Sequence, residues 1–174
     1  TSNPTRGQPG HDKLAHVRPI LDDVREKCRN LYRLHQNVSI DEAMVAFRGR
    51  LSWRQYIPSK PTKYGMKVWV IADPVNGLVH DLNVYTGKDE EHQDESLGAH
   101  VVKKLSVDLP QGSVVNCDNF FTSPDLFEDL LQQGIYARGT VRVNRKGMPP
   151  PGLFGNKKLK VQGESIVLQS GRMV

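Results

Sequence analysis

The chain has 174 residues, 37% of them hydrophobic and 25% charged, with only two cysteines. That is enough for one domain with a real core plus appendages, and two cysteines exclude a disulfide framework. The net charge of +5 is unevenly spread: residues 138–174 carry eight Lys and Arg against one acid, while the residues before them are slightly acidic.

A polyanion is the natural partner for such a basic fifth, although a loose basic tail without a partner has the same composition. No apolar run approaches 18 residues, so no membrane partner is expected. The chain opens on Thr1 with no basic-then-apolar leader, which predicts no signal peptide, and its missing Met reads as an excised or incomplete chain. Sparse cysteines suit an intracellular, reducing compartment.

Residues 1–13 are rich in Pro, Gly, Ser and Asn and read as a flexible linker. Residues 14–37 form a helical lead-in. Pro19 suits a first turn, and Ile20, Val24, Cys28 and Leu31 recur at helical spacing, which predicts an amphipathic helix ending near His35–Asn37. Strands are predicted at Val38–Phe47, Lys67–Ala72 and Asp81–Tyr85, with a turn at Asp73–Gly77 and an acidic loop over 88–96. Leu97, Val101 and Leu105 mark a second helix, and Val114–Asp118 a fourth strand. Ser123 fits an N-cap with Pro124 behind it, and Gly134 fits the stop of that third helix. Ile135–Val143 is the fifth strand. The order from residue 38 is therefore βββαβαβ, an α/β class compatible with a ribonuclease-H-like mixed sheet across 38–147. After the Pro149–Gly152 break, residues 148–174 read as the start of a β-rich insertion, with short strands over 158–161 and 165–169.

Two acids interrupt apolar strands. Asp41 follows Val38-Ser39-Ile40, and Asp118 ends Val114-Val115-Asn116-Cys117. A carboxylate buried without a partner is costly, and two that converge repel unless a cation lies between them. Mg²⁺ or Mn²⁺ suits such an all-oxygen site, and a pair of such ions serves phosphodiester chemistry. A capped or ion-paired Asp at a strand end is the plainer alternative. Between Phe47 and Lys67, the cations Arg48, Arg50, Arg54, Lys60, Lys63 and Lys67 are interleaved with Trp53, Tyr56 and Tyr64. Cations suit phosphates and aromatic rings can stack on bases, although the same block could be a hairpin packing its rings on the sheet. The six histidines show no metal-ligand spacing with the two cysteines, so zinc is not expected.

Several blocks resemble the signatures of piggyBac-type transposases. They are Ser39-Ile40-Asp41-Glu42-Ala43-Met44 through Arg50, Tyr56-Ile57-Pro58-Ser59-Lys60-Pro61 with Lys63–Lys67, and Val84-Tyr85-Thr86-Gly87. Cys117-Asp118-Asn119-Phe120-Phe121-Thr122-Ser123, Gly139-Thr140-Val141-Arg142 and Asn144 continue the series in the same order. The resemblance covers roughly Val17 to Arg145. It implies a ribonuclease-H-like core that uses an acidic triad and two metal ions in cut-and-paste DNA transposition. Asp41 and Asp118 match the first two catalytic, metal-binding aspartates. The third lies beyond the β-rich insertion in the family, and no acid of this chain matches it. The implied DNA contacts are Arg48, Arg50, Arg54, Lys60, Lys63, Lys67, Asn119, Arg142, Arg145 and Lys146. The implied partners are transposon ends and target DNA, with a homodimer in the full-length protein and a nuclear location. Two rival readings remain. One is a domesticated, non-catalytic DNA-binding or assembly module. The other is a nuclease of the same fold that draws its third acid from Glu95, Asp125 or Glu128.

Overall fold

The computed structural model describes residues 3–5, 8, 10–87, 95–150, 152–153 and 161–173. The chain divides into two compact units, Thr1–Gln93 and Asp94–Val174.

The first unit holds α1 (Arg18–Leu31), β1 (Asn37–Ala46), β2 (Gln55–Tyr56), β3 (Tyr64–Ala72) and β4 (Val79–Val84). Pro19 sits in the first turn of α1, where its missing N–H costs nothing. Val17 offers no side-chain cap; instead Arg18 clamps Asp12 through two hydrogen bonds of 2.8 and 2.7 Å. The helix ends at Leu31, short of the expected His35–Asn37. Tyr32 turns to extended backbone, and its hydroxyl donates to Asp73 at 2.9 Å. That carboxylate is fully buried, and it also accepts from the backbone N–H and Nδ1 of His35 and from the N–H of Val75. These donors, led by the His35 N–H, hold its carboxyl far below the usual carboxylate range.

β1, β3 and β4 form an antiparallel meander, with β1 and β3 in register from Ser39↔Ala72 to Ala46↔Gly65. Burial alternates along the first half of β1, with Val38 and Ile40 inside, as a two-residue period requires. The two-residue β2, not expected from the sequence, pairs antiparallel with the start of β3. Gly65 lies where a Cβ would stand 2.2 Å from the Val45 carbonyl oxygen, so only glycine allows β3 this close to β1.

The second unit holds α2 (Leu97–Ser106), β5 (Val114–Cys117), α3 (Pro124–Gln132) and β6 (Tyr136–Gly139). Ser96 and Ser123 cap the two helices, accepting from the N–H groups of Ala99 and Leu126. Gly134 ends the α3 region at φ +77°. Val101, Val102 and Leu105 of α2 are buried, as are Leu126 and Leu130 of α3. Lys103 ties the helices together through Asp129 at 2.7 Å and Glu95 at 3.0 Å. β5 and β6 are parallel, with Cys117↔Gly139 as the last pair. The expected strand to Val143 therefore stops at Gly139, because β5 offers no residue beyond Cys117 to pair with.

The expected strand over 158–161 and the expected loop over 88–96 fall mainly outside the described residues. Residues 165–169 form no ladder among those described; only Ser170 and Met173 bridge. No described helix is long and apolar enough to cross a membrane.

Candidate nucleic-acid and metal site

Asp41 is an exposed residue of β1, placed opposite Val70 of β3. Its Oδ1 accepts from the Glu42 N–H at 2.7 Å. Glu42 points to the other face of the strand, as period-two geometry dictates, and there it pairs with Lys60 at 3.0 Å. That ion pair was invisible in the sequence, yet it fastens the loop after β2 to β1. Lys60 Nζ also donates to the Glu42 carbonyl at 3.4 Å.

The other cations of the block are placed differently. Arg48, Arg54 and Lys63 line a cleft of about 700 Å³ together with Phe47, Pro61 and Tyr64. Arg54 sits over the Tyr64 ring at 5.7 Å, and its Nη1 donates to the Gly49 carbonyl at 3.3 Å. Lys67 instead covers Trp69 at 5.4 Å. Arg50 is exposed. Trp53 is buried at 7% exposure, so it belongs to the core, whereas Tyr56 and Tyr64 are each more than half exposed.

In the second unit Asp118 is exposed just past the end of β5. Its Oδ1 accepts from the Phe120 N–H at 2.9 Å, closing an Asx turn. Its carbonyl accepts from the Thr122 N–H and hydroxyl, at 3.1 and 2.8 Å. Phe121, fully buried, anchors the turn from below. Two glycines press on the same turn. A Cβ at Gly98 would stand 2.8 Å from the Phe120 carbonyl oxygen, and one at Gly139 would stand 2.2 Å from that of Cys117. Neither glycine stood out as a support of the site in the sequence; only their spatial neighbours reveal them. Burial and the adjacent Asp118 carboxylate push the Cys117 thiol up to about 12, which makes it a poor nucleophile.

Arg142 donates through Nε to Asn119 Oδ1 at 3.2 Å, and Arg145 Nη2 reaches the Asn119 and Phe120 carbonyls. Three residues expected to contact DNA thus meet on one turn and hold one another. Lys146 is exposed. Among the acids of the nuclease reading, Glu95 is engaged by Lys103 and His100, and Asp125 is exposed in the first turn of α3.

The second oxygen of Asp41 and of Asp118 has no hydrogen-bond or ion-pair partner among the described residues. Exposed hard-oxygen donors of this kind fit a divalent cation such as Mg²⁺ or Mn²⁺. Among the described residues no group of three or more His, Cys, Asp and Glu side chains gathers into a metal-binding cluster.

An antiparallel meander that carries one exposed aspartate, and a helix-strand-helix-strand unit that carries another at a strand end, define a ribonuclease-H-like transposase catalytic fold. The chain belongs to the family whose model is described as Transposase IS4, matched over residues 1–171. It is 33% identical over 139 residues to PiggyBac transposable element-derived protein 3 of Homo sapiens, covering 75% of this chain and 23% of that protein. It is 28% identical over 155 residues to PiggyBac transposable element-derived protein 2 of Homo sapiens, covering 86% of this chain and 26% of that protein. A solved piggyBac transposase synaptic complex with hairpin DNA superposes with a TM-score of 0.72 at 35% identity, over 76% of this chain and 28% of that one. The chain is thus a transposase-derived domain related to piggyBac transposase, and it spans about a quarter of the length of these relatives.

Proposed function

We propose that the chain is part of the catalytic core of a protein that cuts and transfers DNA strands, with Asp41 and Asp118 as metal-binding catalytic residues. The observation that carries this reading is that both aspartates are exposed in a family-matched fold, Asp41 on β1 and Asp118 just past the end of β5, each with one oxygen fixed by an N–H and the other without a partner among the described residues. When bound, a divalent cation supplies Lewis-acid polarisation of a phosphodiester and a water of lowered pKa. The two carboxylates supply the hard donors. Arg48, Arg54 and Lys63 supply phosphate contacts, and Arg142 and Arg145 keep the Asp118–Phe121 turn in shape. Transposon ends and target DNA are the substrates, and the full-length protein acts as a nuclear homodimer.

The test is an experimental structure of the chain with Mn²⁺. Both carboxylates are expected to share the ion site. Carboxylates farther apart than about 8 Å would overturn the reading, because paired ions of this type lie about 4 Å from each other.

A second reading is a non-catalytic DNA-binding or assembly module. Its support is the similarity to human proteins named as transposable element-derived. That reading expects DNA affinity that falls steeply with salt and is indifferent to Mg²⁺ and to Asp118→Asn.

A further inference from the structure

The cleft beside the β2–β3 hairpin carries more information than its charge. Tyr56 and Tyr64 stand directly opposite each other across β2 and β3. Their rings stack at 4.5 Å with 27° between planes. The Arg54 guanidinium lies over Tyr64 and is fixed there by the Gly49 carbonyl. The result is a continuous π-cation surface, exposed to solvent and built before any ligand arrives. The loop that frames it is stiff: Pro58 and Pro61 lie within it, the Ile57 N–H donates to the Lys63 carbonyl at 2.9 Å, and Lys60 is bolted to Glu42. Arg48 and Lys63 add two more cations to the lining.

We propose that this cleft binds an unpaired nucleotide of a DNA strand, with its base against Tyr64 and Arg54 and its phosphate against Arg48 and Lys63. The inference rests on the DNA reading above and narrows it. The faces of bases within a duplex are covered by their neighbours, so a paired strand has nothing to offer an aromatic surface except its backbone. An unstacked base has an open π-face, and aromatic rings and guanidinium planes are the side chains that receive one. A duplex would need only the cations. The exposed tyrosine pair is surplus to duplex binding and is what a single strand requires. Buried Trp53 takes no part.

Fluorescence anisotropy on the full 174-residue chain separates these cases. The probes are a labelled oligothymidine, a fully paired duplex, and the same duplex with a central unpaired tract. The chain is expected to prefer the two probes with unpaired bases. Tyr64→Ala should weaken binding to those two by at least about fivefold, the loss of one base stack, and change duplex binding by less than about twofold. Tyr64→Phe keeps the ring and should keep the preference. Equal loss on all three probes, or no loss on any, overturns the proposal while leaving DNA binding intact. Absence of binding to every probe overturns the DNA reading as well. A measurement on the unaltered chain guards against misfolding of the Ala variant. Photo-crosslinking with an iodouracil-substituted strand should map to Tyr64 or Tyr56, and crosslinks confined to other residues would sink the proposal.

Discussion

α1 and α3 are both amphipathic helices, yet they are held by opposite means. α3 buries Leu126 and Leu130 at 1% and 0% exposure. α1 buries no residue at all: Ile20, Val24 and Leu31 of its apolar stripe are 70%, 45% and 83% exposed. What docks α1 on β4 is charge. Arg25 grips Asp81 with two bonds of 2.6 and 3.0 Å, and Arg29 approaches the same carboxylate at 3.7 Å. Asp81 is itself nearly buried. One unit therefore uses apolar burial to hold its helices, while the other pins its helix by an ion pair and leaves Ile20 and Leu31 of its apolar stripe largely to solvent. A periodic apolar stripe says that a helix forms; it does not say which face meets the sheet.

The contrast can be broken from either side. The largest effect is expected for Leu130→Ala, which opens a cavity in the apolar unit and should cost about 2–5 kcal/mol in urea unfolding. Next, Asp81→Asn strips the charge from the α1 dock and should cost about 1–3 kcal/mol, the loss of a partly buried charge-assisted pair. Hydrogen exchange should show amides 18–31 losing protection before the meander does. If the helix stays protected, the ion pair is not its anchor. Acid gives a graded test of the Tyr32–His35–Asp73 knot. Its carboxyl titrates lower in the folded than in the unfolded chain. Its contribution is therefore complete above the ordinary Asp value of about 3.9 and is lost as pH falls below it toward the depressed native value. Asp73→Asn should flatten that acid limb in a pH series of melting curves. The smallest effect is expected at the exposed stripe: Ile20→Ala should stay within about 0.5 kcal/mol of the parent, because that residue is largely exposed.

The parts of the molecule legible in the sequence are those governed by local rules. Ser123 with Pro124 announced α3, the apolar run from Val38 to Phe47 announced β1, and the aspartates inside apolar runs drew attention to Asp41 and Asp118. The parts that were not legible depend on residues far apart in the chain. Nothing near Lys60 names Glu42 as its partner. Arg145 read as a DNA contact, yet its guanidinium serves two carbonyls 25 and 26 residues upstream. Asp73 looked like a simple turn residue until Tyr32 and His35 arrived from the end of α1. The site was legible in its chemistry, acids and cations with aromatics among them, but not in its division of labour between groups that hold the scaffold and groups left open.

The two thiols give the molecule an internal clock. Cys117 closes β5 with its sulfur buried, and burial with the neighbouring Asp118 carboxylate pushes its thiol up to about 12, so the thiolate is scarce at pH 7. Cys28 rides half-buried on α1, the helix whose Arg25 grips Asp81. An alkylating reagent applied to the native chain would therefore mark α1 first and reach β5 only when that strand opens. The second mass to appear in a spectrometer would time the opening of β5 without any engineered label.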